Sequence, residues 1–164
     1  MDEVVEKYRP SRILEVGTLV GYSAIRMGRH LKKGQKITCV EVSQEMARTA
    51  RSNFEKAGLT DRIEIVVGDA MSALPTLTDS FDMVFLDAVK EDYIAYLKSI
   101  ERLLHKGSVV VADNVRSHAE DVAGYLDYVR NSGRFSSSYR ESPGNYRYGT
   151  GRTEDEAVEV SVKL

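Results

Sequence analysis

The stretch Ile13-Leu14-Glu15-Val16-Gly17-Thr18-Leu19-Val20-Gly21-Tyr22-Ser23 constrains the fold more than any other part of this chain. Ile13 to Val16 read as a short buried strand and Gly17 ends it. Apolar residues at helical spacing (Tyr22, Ile25, Met27, Leu31) begin just beyond. A strand that feeds a helix through a glycine turn is the opening unit of a nucleotide-binding α/β sheet. Glycine suits such a turn because it takes unusual φ/ψ and leaves no Cβ in the path of a ligand.

The spacing refines the expectation. A dinucleotide fingerprint, G-x-G-x-x-G, sets a pyrophosphate on the helix N-terminus. Here the pattern is E-x-G-x-x-x-G, from Glu15 through Gly17 to Gly21, and no G-K-[ST] follows, which excludes a P-loop. A wider turn preceded by an acid suits an adenosine ligand that carries a cationic amine in place of phosphates. That chemistry points to S-adenosylmethionine.

Further along, the pattern repeats. Asp2 to Tyr8 reads as a helix stopped by Pro10, and a helix after the glycine turn runs to about Leu31, closed by Lys32-Lys33-Gly34. Lys36–Val42 is a second strand, and Ser43 caps a helix running to Ala57. Ile63–Val67 and Phe81–Leu86 are strands separated by a short helical piece that Pro75 breaks. The apolar positions from Tyr93 to Leu104 predict one helix over 91–104, stopped by Gly107, before a strand at Val109–Ala112. Glu120–Asn131 reads as a helix, and Phe135–Tyr139 and Ala157–Val162 as strands joined by a polar loop. Five successive strand–helix units require a doubly wound, mostly parallel α/β sheet in one domain over 1–164, with an antiparallel pair at one edge.

Composition narrows the classes. A net charge of −2 argues against a dedicated binder of nucleic acid or anionic membrane. No apolar run reaches membrane-spanning length, and the one cysteine, Cys39, alternates with Ile37 and Glu41 as a buried strand thiol should. A cytoplasmic location is the default expectation.

In open α/β sheets ligands bind beyond the C-terminal ends of the strands. Those ends carry Gly17-Thr18, Glu41-Val42, Gly68-Asp69-Ala70, Asp87 and Asp113-Asn114. Glu41 lies about 20 residues past the glycine turn, where an acid accepts hydrogen bonds from ribose hydroxyls. Asp69 is positioned to take an adenine amino group. Asp87, Asp113 and Asn114 converge if the fourth and fifth strands are neighbours, about 5 Å apart. Two carboxylates and an amide oxygen suit Mg²⁺, which keeps positions open for water or substrate oxygens. Lys90 follows Asp87 near a helix start, where the macrodipole and a nearby divalent ion both disfavour an ammonium. That is the setting a lysine general base needs.

Ile13-to-Ser23, Phe85-Leu86-Asp87-Ala88-Val89-Lys90 and Val111-Ala112-Asp113-Asn114-Val115 together resemble catechol O-methyltransferase and its metal-dependent relatives, over roughly Val4 to Val115. The resemblance implies a seven-stranded Rossmann-like methyltransferase fold, S-adenosylmethionine as methyl donor, and a divalent cation, usually Mg²⁺, on two vicinal oxygens of an aromatic acceptor. It implies Asp87, Asp113 and Asn114 as metal ligands and Lys90 as the base. Glu15, Gly17, Tyr22, Ser23 and Glu41 are implied as cofactor contacts. With the strand-end residues, the expected cofactor set is Glu15, Gly17, Thr18, Tyr22, Ser23, Glu41, Val42, Gly68, Asp69, Ala70 and Asp87.

The chain departs from the family in several places. It begins inside the last of the family's N-terminal cap helices, so an unusually open site, one completed by another copy, or a truncated chain is expected. Self-association through apolar surface at Val4 and Val5 follows from the same reasoning. Val89 stands where an aromatic wall precedes the lysine, and Glu141 is a candidate for an acceptor-site glutamate that the sequence does not otherwise locate. His30 and His105 are expected in last turns of helices, and His118 on an exposed loop. Tyr139, Tyr146 and Tyr148 with Arg140, Arg147 and Arg152 form an aromatic-basic stretch of the kind that stacks nucleic-acid bases. The expected partner is nonetheless a small hydroxylated aromatic. A hydroxylated tRNA base, an acyl-CoA ester, and a catalytically idle S-adenosylmethionine-binding module are the alternatives.

Overall fold

The computed structural model describes residues 1–142 and 156–164. Helix α1 (Asp2–Tyr8) precedes β1 (Arg12–Val16), α2 (Tyr22–Gly28), β2 (Lys36–Glu41), α3 (Gln44–Lys56) and β3 (Ile63–Val67). Then come α4 (Ala70–Ala73), β4 (Phe81–Leu86), α5 (Tyr93–Ile100), β5 (Leu104–Ala112), α6 (Ala123–Asn131), β6 (Phe135–Ser142) and β7 (Glu156–Lys163). The seven strands form one sheet in the order β3-β2-β1-β4-β5-β7-β6. The neighbours from β3 to β5 are parallel, and β7 lies antiparallel between β5 and β6. The expected antiparallel edge is therefore made by a single reversed strand inserted second from the edge.

Each face of the sheet is sealed by helices, and alternation along the strands assigns residues to the two cores. Leu14, Val16, Val84, Leu86, Val110 and Ala112 pack with Tyr93, Leu97, Tyr125 and Val129 on one face. Ile13, Ile37, Cys39, Met83, Phe85 and Val111 pack with Val4, Ala24, Met27, Ala50 and Phe54 on the other. Val4 and Val5 are thus buried within the chain itself, and the apolar surface expected to drive self-association is absent there.

Two elements differ from the sequence reading. The helix expected over 91–104 is confined to Tyr93–Ile100, between 3₁₀ turns at Lys90–Asp92 and Glu101–Leu103. Leu104 is already extended (ψ 138°), and β5 starts there, not at Val109. The cause is a bulge: Phe81 pairs with Leu104 but Met83 with Val109. Gly107, at φ +91°, turns the chain within it. Ser108 Oγ closes it, accepting from His105 N (3.0 Å) and donating to the Phe81 carbonyl (2.8 Å). His105 consequently sits on a strand, against Asp82 (3.0 Å), and not at a helix end.

Helix α5 and the reversed edge are fastened by Glu101, which accepts from Arg134 Nε (2.5 Å), Lys163 Nζ (2.6 Å) and Tyr128 OH (2.7 Å). No helix among the described residues is long and apolar enough to cross a membrane. The strand order reverses between β1 and β4, and a crevice outside the carboxyl ends at that switch point is where α/β sheets of this kind take ligands.

Candidate active site

Gly17, directly after β1, opens the crevice with φ +88°. A Cβ there would lie 2.3 Å from the Asp87 carbonyl oxygen and 3.1 Å from Ala88 Cα. The glycine is needed because the end of β4 runs against it, a tighter constraint than room for a ligand. Gly21 (φ +85°) is fixed likewise, since a Cβ would meet the Phe54 ring at 2.4 Å. Gly68 is different: a Cβ there meets nothing within 4 Å.

Between the two glycines, Leu19 also takes a left-handed backbone (φ +47°), an outlier for a bulky residue. This bend aims the loop amides at Glu41. Its Oε2 accepts from Leu19 N (2.8 Å) and Thr18 N (3.2 Å), and its Oε1 from Ser43 N (2.8 Å). Successive N–H groups of such a bend make an anion-binding concavity, the feature that holds phosphate in other nucleotide sites. Here the protein's own carboxylate occupies it, the physical counterpart of the missing phosphate fingerprint. A carboxylate has about four acceptor positions, so with three donors bound roughly one remains, on Oε1.

Glu15 is fully buried on β1, beside Cys39 on β2 and Phe85 on β4. Thr18 Oγ1 and Ser23 Oγ each donate to one of its oxygens. Burial pushes its carboxyl up from the ordinary range, the two hydroxyls oppose that, and the Asp87 charge adds to it. A cation arriving at this end of the sheet would relieve both burial and repulsion.

Asp69 takes a local role, accepting at Oδ2 from Ser72 N (3.0 Å) and Ser72 Oγ (3.1 Å) as the N-cap of α4, with Ala70 buried behind it. Tyr22 and Val42 are exposed, and beside them stand Leu19, Val20, Val67 and Met71, which sequence reasoning passed over. With Val89 these seven are all large, apolar and exposed, and all lie at the carboxyl ends of β1 to β4. The signal was present in the sequence, where the loops after the strands carry aliphatic residues in place of the usual polar ones. Such a rim offers flat contact to a purine ring.

The second half of the site stands at the ends of β4 and β5. Leu86 and Ala112 are in register, and Asp113 N donates to the Leu86 carbonyl (3.0 Å), which puts Asp87 and Asp113 side by side on neighbouring strands. Asp113 Oδ1 accepts from Asn114 N (2.9 Å), and Asn114 adopts a left-handed backbone (φ +59°). Lys90 lies in a 3₁₀ turn, not in the first turn of an α-helix. Its side chain is only 12% exposed, and Nζ donates to Asp87 Oδ1 (2.8 Å) and to Tyr93 OH (2.8 Å). Tyr93 is a second residue that sequence reasoning missed, having counted it simply as helix core.

Glu141 is exposed, with an oxygen 3.8 Å from Arg116 NH1. Tyr146, Tyr148, Arg147 and Arg152 lie outside the described residues. His118 is on an exposed loop, as expected, 2.9 Å from Asp121. A separate cavity of about 480 Å³ beside α6, β6 and β7, walled by Arg116, Leu126, Arg130, Tyr139 and Glu159, contains none of the expected cofactor, metal or base residues. Among the described residues no group of three or more His, Cys, Asp or Glu side chains gathers as a metal cluster. The set at β4 and β5 has two carboxylates and an amide oxygen.

Sheet order, the occupied glycine nest and the strand-end crevice define a Rossmann-like α/β domain of the methyltransferase type. A model described as O-methyltransferase matches residues 3–130, and the chain belongs to that family. Mouse catechol O-methyltransferase is 37% identical over 149 residues, covering 87% of this chain and 56% of that protein. The catechol O-methyltransferase of Mycobacterium tuberculosis is 44% identical over 105 residues, 63% of this chain and 48% of that one. The crystal structure of the O-methyltransferase TomG from Streptomyces achromogenes, in complex with S-adenosylmethionine, matches with a TM-score of 0.89 at 27% identity, over 99% of this chain and 77% of that one. The chain thus spans about half the length of these two curated relatives.

Proposed function

We propose that this chain binds S-adenosylmethionine at the carboxyl ends of β1 to β3 and directs its methyl group to a hydroxyl of a small catechol-like acceptor, with a divalent cation, Mg²⁺, held by Asp87, Asp113 and Asn114. The observation that carries this reading is the meeting of Asp87, Lys90, Asp113 and Asn114 at neighbouring strand ends, against the Gly17 turn. The donor set fits the ion. Three hard oxygens on adjacent strands suit Mg²⁺ over softer metals, and Asp87 Oδ1 already accepts a hydrogen bond from Lys90 Nζ at 2.8 Å.

A divalent cation held by Asp87, Asp113 and Asn114 would favour the ionised form of an acceptor hydroxyl. The chain's own residues supply the rest. Glu15 and Glu41 set acceptors at the ends of β1 and β2, the first for a cationic amine and the second for a ribose hydroxyl. The aliphatic rim from Leu19 to Val89 excludes water from the face of the purine. Lys90 Nζ, beside Asp87, takes the acceptor's proton as general base. Displacement at a sulfonium methyl is in line, so alignment by these fixed groups is the main contribution the protein makes. No covalent enzyme intermediate is required.

The test is methyl transfer from labelled S-adenosylmethionine to catechol, with Mg²⁺ and with chelator. Transfer should require the cation, and Lys90→Ala should cut turnover about 10²–10⁴-fold while Mg²⁺ affinity holds. Transfer that survives chelation, or a Lys90→Ala protein with parental turnover, would refute the reading.

A further inference from the structure

The hydroxyl of Tyr93 occupies a position that helix packing does not explain. Its ring is fully buried at the first position of α5, edge-on to Tyr125 at 5.9 Å between centroids. That contact accounts for the ring and leaves the oxygen unaccounted for. The oxygen accepts from Lys90 Nζ (2.8 Å) and faces two backbone carbonyls, Leu86 (2.9 Å) and Asp113 (3.2 Å), to which its one proton is shared. Those carbonyls belong to the last residue of β4 and the first residue beyond β5. A single atom therefore joins the proposed base to the two strand ends that carry the proposed metal carboxylates.

Lys90 has a long flexible side chain, and fixing it costs up to about 2 kcal/mol of rotamer freedom. Asp87 alone does not fix it, because that carboxylate must turn towards the cation when one is bound. Tyr93 makes no such change, since its ring is locked by packing and its oxygen is anchored to main chain. Burial, then Asp87 and Asp113, push its hydroxyl well above the ordinary tyrosine range, so it remains a neutral donor.

We infer that Tyr93 is a positioning residue, whose buried hydroxyl holds Lys90 Nζ in place and ties the ends of β4 and β5 together so that base and carboxylates act as one unit. The inference rests on the reading of those residues proposed above. It assigns to α5 a role in the site that the ends of the strands alone do not supply, and it explains the short turn between Asp87 and α5. With the ring at Tyr93 fixed, the backbone from Lys90 to Asp92 must bend back for Lys90 to reach it, as its 3₁₀ turn does.

Tyr93→Phe removes one oxygen and keeps the packing; Tyr93→Met, which also lacks the hydroxyl but fills similar volume, serves as the second variant should the first fold poorly. Three readouts are combined. The first needs neither metal nor activity: acylation of Lys90 by an amine-selective ester, followed residue by residue by mass spectrometry, should speed up about tenfold in either variant as Nζ loses its second partner and moves more freely. The second is Mg²⁺ affinity by calorimetry, and the third is turnover on catechol. Both should fall about 10–100-fold, the usual effect of losing a group that orients ligands from behind, with little change in KM for catechol. At saturating Mg²⁺, which removes the effect through the metal, Tyr93→Phe in a Lys90→Ala background should cost little further turnover, because its effect on the base passes through Lys90. Tyr125→Phe, which packs on the same ring away from Lys90, should leave all three readouts at parental values. Unchanged Lys90 acylation, or turnover losses that multiply in the double variant, would overturn the inference. A parent that transfers no methyl to catechol would instead refute the functional reading, and the acylation result would still decide the role of Tyr93.

Discussion

Replacing Gly17 by alanine isolates the contact on which the two halves of the site meet. The new Cβ would lie 2.3 Å from the Asp87 carbonyl oxygen, and that atom is main chain in a buried strand end, unable to swing aside. Two costs add. An L-residue held in the left-handed region at φ +88° loses roughly 1–2 kcal/mol, and forcing an extra methyl into a packed site typically costs about 1–3 kcal/mol. The sum is about 2–5 kcal/mol. At roughly 2–4 °C per kcal/mol for a chain of this size, melting should fall by about 4–20 °C. Two further glycines provide the scale. Gly58 has φ +69° with nothing within 4 Å, so Gly58→Ala carries only the backbone strain, about 1 kcal/mol. Gly68 has neither the left-handed backbone nor a neighbour, so Gly68→Ala should melt with the parent while still reporting on any ligand that approaches its backbone. The assay is thermal unfolding by circular dichroism on the three variants, with Mg²⁺ calorimetry on each. Because the Gly17 clash pushes on Asp87, its metal affinity should fall as well. A Gly17→Ala protein that melts within about 2 °C of Gly58→Ala would refute the packing argument.

Glu41→Gln keeps the shape of the side chain but replaces one acceptor oxygen of the loop by a donor. Hydrogen bonds to a charged group are worth about 1.5–3 kcal/mol, so S-adenosylmethionine affinity by calorimetry should drop about 10–100-fold; unchanged affinity would show that the loop does not need its anion. Glu101 predicts an acid sensitivity. Burial alone would raise its carboxyl, but the hydrogen bonds from Lys163, Tyr128 and Arg134 outweigh burial and hold it below the ordinary value of 4.5. A depressed carboxyl contributes stability above its unfolded value and loses it as pH falls through the folded one. The parent should therefore lose stability below about pH 4.5, and Glu101→Gln should be less stable at neutral pH with a shallower decline on acidification. Equal slopes in urea unfolding across that range would contradict the assignment.

Much of the architecture was readable from local pattern. Ile63–Val67 and Phe81–Leu86 have the bounds expected of them, because each is an apolar run closed by Gly68 or by polar residues at 79–80. Ser43 caps α3 as its position announced, accepting from Met46 N at 3.2 Å. The grouping of Asp87 with Asp113 and Asn114 was expected on the condition that the fourth and fifth strands are neighbours, and the pairing of β4 with β5 supplies that condition. The reading failed at Leu104, where helical spacing continues into a strand. Apolar residues next to each other satisfy both periods, and the bulge at Gly107 that settles the matter depends on a hydroxyl reaching Phe81.

The amino-acid sequence by itself determined the kind and order of the elements, the parallel sheet they demand, and which residues stand at the carboxyl ends of its strands. These are consequences of periodicity and of glycine, which act within about 15 residues. Tertiary structure alone decided that β7 enters between β5 and β6, and that Gly17 is glycine because of Asp87. It also decided that Glu41 fills the nest of the turn and that Tyr93 ties Lys90 to two strand ends. Each joins groups held by different segments, at distances fixed by the packing of two cores against one sheet. No local preference of either partner encodes the meeting.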